Sequence, residues 1–96
     1  MVNYIISVAF NEADSDAIAR LNTELAKYNI AGGIKADDNK GYFLPPGNYC
    51  YSGVEPINEV RDAIHRLAAT IKPDPMVLVT EVTTVSWSGL KLVEAQ

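Results

Sequence analysis

The sequence predicts an α+β fold: a ferredoxin-like βαββαβ sandwich, two helices on one face of an antiparallel four-stranded sheet. Three observations carry this. Residues 2–10 alternate with period two, as a strand does. Two later segments repeat apolar residues every three or four positions, as one-sided helices do. The stretches after each helix are of β type, and the first is punctuated as a hairpin. Two helices with one apolar stripe each need one sheet face to cover, and right-handed crossovers then fix the topology.

Taken in order, Val2, Tyr4, Ile6, Val8 and Phe10 share one face of the first strand, which suits a central place in the sheet. Asp14 or Ser15 caps the first helix, and Asp16 sits favourably in its first turn. Its stripe is Ile18, Leu21, Leu25 and Tyr28. Asn29 suits the left-handed position past the helix end, with Ile30 as the apolar contact behind it. Residues 31–53 read as a hairpin. Residues 34–36 form its first arm, and residues 37–41 turn, with Asn39 or Gly41 at positive φ. The return arm is interrupted by Pro45-Pro46-Gly47, where two backbone donors are missing, so an edge, bulge or bend is expected. Tyr49 and Tyr51 then share one face and Cys50 the other. The second helix starts near Pro56, carries Ile57, Val60, Ile64, Leu67 and Ile71, and ends before Pro73 and Pro75. Residues 76–82 are a β-branched strand. A tight turn at Thr83-Thr84 leads to a short extra strand over 85–90, and residues 91–96 are expected to be a loose tail.

Ninety-six residues, 48% of them apolar, fit a single domain over 1–96. One cysteine allows no internal disulfide and no Cys-based zinc site. No apolar run is long enough to span a membrane, and the N-terminal residues lack a secretion signal's basic flank. A reducing, cytoplasmic setting is expected. Eight Lys and Arg face twelve Asp and Glu, a net charge of −4. That balance argues against a general nucleic-acid binder, whose affinity comes largely from phosphate neutralisation.

The candidate chemistry is sparse. Cys50 and His65 are the single residues of their kinds, and no nucleophile motif joins them. Arg61, His65 and Lys72 form a small basic edge on the second helix. It reads either as a solvated shoulder or as a phosphate-contacting edge with His65 as general acid or base. Asp37-Asp38-Asn39 lacks calcium-loop spacing and reads as a turn, and no metal ligand set is expected. Tyr42, Tyr49 and Tyr51, with Trp87 joining across the sheet, can stack bases on an open sheet face, or else form cross-strand pairs or a dimer interface.

Taken together, NYIISVAF, the helix with Arg20-Leu21 closing at Tyr28-Asn29-Ile30, DDNKGYFLPPGNYCYSG, EVRDAIHRLAA and LVTEVTTVSWSGL resemble the GhoS family. These are small bacterial endoribonuclease antitoxins of type V toxin–antitoxin systems. The resemblance covers roughly residues 3–90. It implies a ferredoxin-like fold and cofactor-free cleavage of selected mRNA, the message of a small membrane toxin. The family's Arg-x-Arg pair is matched by Arg20 at its first position, whereas Asn22 stands at the second and supplies no fixed charge. Arg20 and His65 are accordingly the catalytic candidates. Arg61, Lys72, Tyr42, Tyr49, Tyr51 and Trp87 are the candidate contacts for RNA or a partner. The alternative is a non-catalytic interaction or dimerisation module, of a kind a mobile element can encode, whose partner is a second copy or a basic protein.

Overall fold

In the computed structural model, which describes residues 1–12, 15–36 and 38–93, the alternating segment is the centre of the molecule. Strand β1 (Val2–Ala9) lies between β4 (Asn48–Gly53) and β5 (Met76–Glu81), antiparallel to both. Its register sets Tyr4 opposite Tyr51 and Ile6 opposite Tyr49 on one side, and Ile6 opposite Val79 on the other. Tyr4, Ile6 and Val8 are buried on one face, with Phe10 just beyond the strand. Helices α1 (Ser15–Ala26) and α2 (Ile57–Ala69) cover that face. Leu21 and Leu25 come from α1, and Val60, Ile64 and Ala68 from α2. Each such aliphatic side chain contributes about 1.5–3 kcal/mol by leaving water.

Helix α1 ends as its sequence indicates. The Ile30 N–H donates to the Leu25 carbonyl and the Asn29 N–H to the Ala26 carbonyl, with Asn29 at φ 62°. This is a complete Schellman motif, and Ile30 is buried behind it. One stripe member departs from expectation. Tyr28 is 60% exposed, because the helix stops at Ala26 and the tightened last turn swings the ring outward. The proposed cap Asp14 lies outside the described residues; Ser15 opens the helix.

The hairpin corrects the four-stranded sheet. Strands β2 (Gly33–Lys35) and β3 (Gly41–Phe43) pair with each other as a two-stranded sheet separate from the β4-β1-β5 sheet. The cause is the Pro45-Pro46-Gly47 interruption. Gly47, at φ 81°, turns the chain and offers its carbonyl to the Val8 N–H at 2.8 Å, so the β1 ladder is fed by the turn itself. Across the break Ala31 exchanges backbone hydrogen bonds with Cys50. The observed architecture is thus a small α+β domain with two helices, a three-stranded antiparallel sheet and a two-stranded one.

The C-terminal expectation is also corrected. Residues 85–90 form no strand. Instead the segment expected to be loose pairs with β3: Phe43 donates to the Lys91 carbonyl and Val93 to the Gly41 carbonyl, with Leu92 bridged to Tyr42. The unpaired edge of β3 supplies the partners. Residues 94–96 lie outside the described residues. No described helix is long and apolar enough to cross a membrane.

Candidate functional site

The inward stripe of α2 divides its exposed surface into two shoulders. Glu59, Ala63, Arg66 and Thr70 each precede a stripe residue, and all four line a groove whose other wall comes from Leu25 at the end of α1, Tyr28 and Ile30 after it, and Tyr51 and Glu55. Arg61 and His65 lie on the opposite shoulder, because a spacing of four residues returns to one side of a helix, whereas Lys72 lies beyond the helix end at Ala69. Of the basic edge read from the sequence, α2 therefore carries Arg61 and His65 alone, on the shoulder opposite the groove. The Arg61 guanidinium is engaged locally, donating to Asp62 at 2.9 Å and to Asn58 at 3.4 Å. His65 is exposed.

Arg20 is exposed on α1. His65 is on the other helix, and no hydrogen bond or ion pair among the described residues joins the two catalytic candidates. Asn22 is occupied in another way: its Oδ1 accepts the Tyr49 hydroxyl at 2.6 Å.

For Tyr49 and Tyr51 the structure excludes base stacking on an open face and favours the structural alternative, since both are on the covered face. Tyr49 is 2% exposed and belongs to the core. Tyr51 is half-buried and stacks on Tyr4, ring centres 6.4 Å apart and nearly parallel. The parity of β4 dictates this, since Tyr49 and Tyr51 oppose the buried Ile6 and Tyr4. Tyr42 and Trp87 do meet, at 5.7 Å between ring centres, but on the hairpin. Cys50 sits on the uncovered face, across the sheet from both helices, so it has no access to His65. Burial pushes its thiol up, away from the nucleophilic thiolate.

The groove between α1 and α2 has a volume of about 780 Å³. Leu25, Ile30, Val60, Ile64 and Leu67 form its apolar floor, and the exposed Tyr28 stands on its wall. One end is closed by a fixed carboxylate. Glu55 accepts the Tyr51 hydroxyl at 2.6 Å on Oε2 and the Val54 N–H at 3.0 Å on Oε1. The Tyr4 hydroxyl holds the Glu55 carbonyl at 2.7 Å. The Tyr51 bond, helped by backbone N–H groups, keeps Glu55 below its ordinary value of 4.5, so it is an anion at neutral pH. Glu59 and Asp62 add two carboxylates to the rim, against one cation, Arg66.

Sequence reasoning missed this site. The local signal was Tyr28 immediately before the left-handed Asn29, which marks the helix end and so the ring's release. Glu55 carried no signal, because its role depends on Tyr51 four residues earlier in a strand. No protein-family model matches the chain, and no curated protein is significantly similar to it.

Proposed function

We propose that this chain is a non-catalytic protein-binding module of ferredoxin-like type, whose partner docks in the groove between α1 and α2. The observation that carries it is a groove beside α2 whose apolar surface reaches solvent at Tyr28, Ala63 and Leu67 and which is closed at one end by an oriented carboxylate. The ferredoxin-like reading is supported by the order β4-β1-β5 and by the bridge from Ala31 to Cys50, which puts the start of the hairpin where a fourth strand would lie. Asn22 supports the loss of catalysis, because it serves the Tyr49 hydroxyl instead of a phosphate.

A second reading, the metal-independent endoribonuclease implied by the GhoS resemblance, is favoured by one feature. Arg61 and His65, one turn apart on α2, share a shoulder that could track an RNA backbone. One experiment separates the readings. Purified chain is incubated with a mixed RNA pool in EDTA and in Mg²⁺. In parallel, tagged chain is used to isolate its protein partner. The binding reading expects intact RNA and a partner lost on Tyr28→Ser and Ala63→Asp but kept on Arg20→Ala and His65→Ala. Site-selective cleavage abolished by Arg20→Ala or His65→Ala would replace it with the nuclease.

A further inference from the structure

We propose that the occupant of the groove is a cationic amphipathic helix of a partner protein, an inference that rests on the protein-binding reading above. The shape comes first. The groove is a trough along one shoulder of α2, with Leu25, Tyr28 and Ile30 from the end of α1 and beyond it on the other side, and its apolar surface reaches solvent at Tyr28, Ala63 and Leu67. A third helix laid along it places one apolar stripe on that surface, as helices pack on helices and as amphipathic helices fill grooves.

Charge selects which helix. Glu55, Glu59 and Asp62 border the trough and Arg66 alone opposes them. Asp62 already pairs with Arg61, so Glu55 and Glu59 hold the unsatisfied negative field. Glu55 cannot swing away without breaking its bonds from Tyr51 and Val54. Its cost of ordering is met before any partner arrives, and pre-organised groups bind more tightly. Tyr28, 60% exposed on the wall, offers a ring face to a lysine or arginine. Polar flanks of the incoming helix therefore carry Lys or Arg.

The same features disfavour other occupants. Carboxylates at the border repel the phosphates of RNA. A small polar ligand needs convergent buried polar groups, and the floor is apolar, with the charges at its border. A second copy of this chain would bring a net charge of −4 against −4.

The test titrates the full chain with a designed Leu/Lys amphipathic helical peptide, a Leu/Glu counterpart and a scrambled Leu/Lys peptide, followed by backbone amide NMR. The Leu/Lys helix is expected to bind and the other two not to. Shifts should centre on Leu25, Tyr28, Ala63 and Leu67. Glu55→Gln with Glu59→Gln should weaken binding by about tenfold, an effect of about 1.4 kcal/mol. Tyr28→Ala should weaken it by a few-fold, and added salt should weaken it further. The control pair Glu12→Gln with Glu81→Gln removes equal charge outside the groove. Loss from the control equal to that from the groove pair would mean attraction to net charge alone and would overturn the proposal. So would equal binding of the scrambled peptide, or no binding. Those results leave the module reading standing if partner capture still depends on Tyr28 and Ala63, whereas RNA cleavage removes the module reading itself.

Discussion

The Tyr49 hydroxyl, deep on β4, donates a 2.6 Å hydrogen bond to Asn22 Oδ1 on α1. Tyr49 is among the largest fully buried side chains. Burial raises its hydroxyl above the ordinary value of 10, so it remains a donor across the neutral range. The position where the GhoS resemblance would require a second arginine is thus a tether between helix and sheet.

Asn22→Ala is expected to lower unfolding free energy by about 1 kcal/mol, since a largely buried hydroxyl loses its acceptor. Tyr49→Phe should cost a similar amount. The double variant should cost clearly less than the sum, because each single change removes the same bond. Urea denaturation of the four proteins measures the coupling, and strict additivity would show that the bond contributes nothing.

Gly47→Ala tests the break in the hairpin. A Cβ there would lie 2.6 Å from the Val8 carbonyl oxygen, which is backbone and cannot move aside, and φ 81° is strained for any other residue. A loss of about 2–4 kcal/mol is expected in thermal or urea denaturation. By contrast, Gly89→Ala, at φ 78° with nothing nearby, should cost only the backbone strain, about 1 kcal/mol. Equal losses at the two sites would argue that the Val8 contact has no consequence.

What could be read ahead depended on how local each cause was. The alternation of β1 and the Asn29-Ile30 helix end are set by neighbouring residues, and both formed as read. The proline pair announced an interruption but not that β2 and β3 would separate from the main sheet, because that depends on Gly47 docking against β1. Tyr28 keeps the stripe spacing, yet spacing orients a side chain only while the helix continues. The groove depends on the separation of two helices distant in sequence, and no local pattern encodes it. Arg61 and His65 keep the one-turn spacing read from the sequence, but Lys72 does not join them, because the helix ends at Ala69 before the Pro73 and Pro75 stop.

Truncation after Leu90 is expected to leave the core intact and loosen the hairpin. It removes the Lys91 carbonyl that accepts the Phe43 N–H, and the Val93 N–H that donates to Gly41. Hydrogen exchange should accelerate at Phe43 by at least about tenfold, while amides of β1 stay protected. Unchanged protection at Phe43 would mean that the C-terminal pairing does not persist in solution.

The Tyr51–Glu55 bond gives stability two pH limits with opposite signs. Glu55 is held below its ordinary value of 4.5, first by the Tyr51 hydroxyl, so it favours the folded state above that pH. This contribution is lost as pH falls through the lower folded value. Tyr51 is raised above 10, first by the same bond, and Tyr4 and Tyr49 are raised by burial. Their contribution is present below about pH 10 and is lost as pH climbs through the raised folded values. Tyr51→Phe should flatten the acid limb, since Glu55 then titrates closer to its ordinary value, and should shrink but not abolish the alkaline limb. Gly53→Ala should act alike on the acid limb, because a Cβ there displaces the ends of both Tyr51 and Glu55. Melting midpoints followed from about pH 3 to 11 would decide it. An acid limb of the same steepness in Tyr51→Phe would show that Glu55 is held by its backbone contacts instead, and that the groove's fixed anion does not depend on the tyrosine.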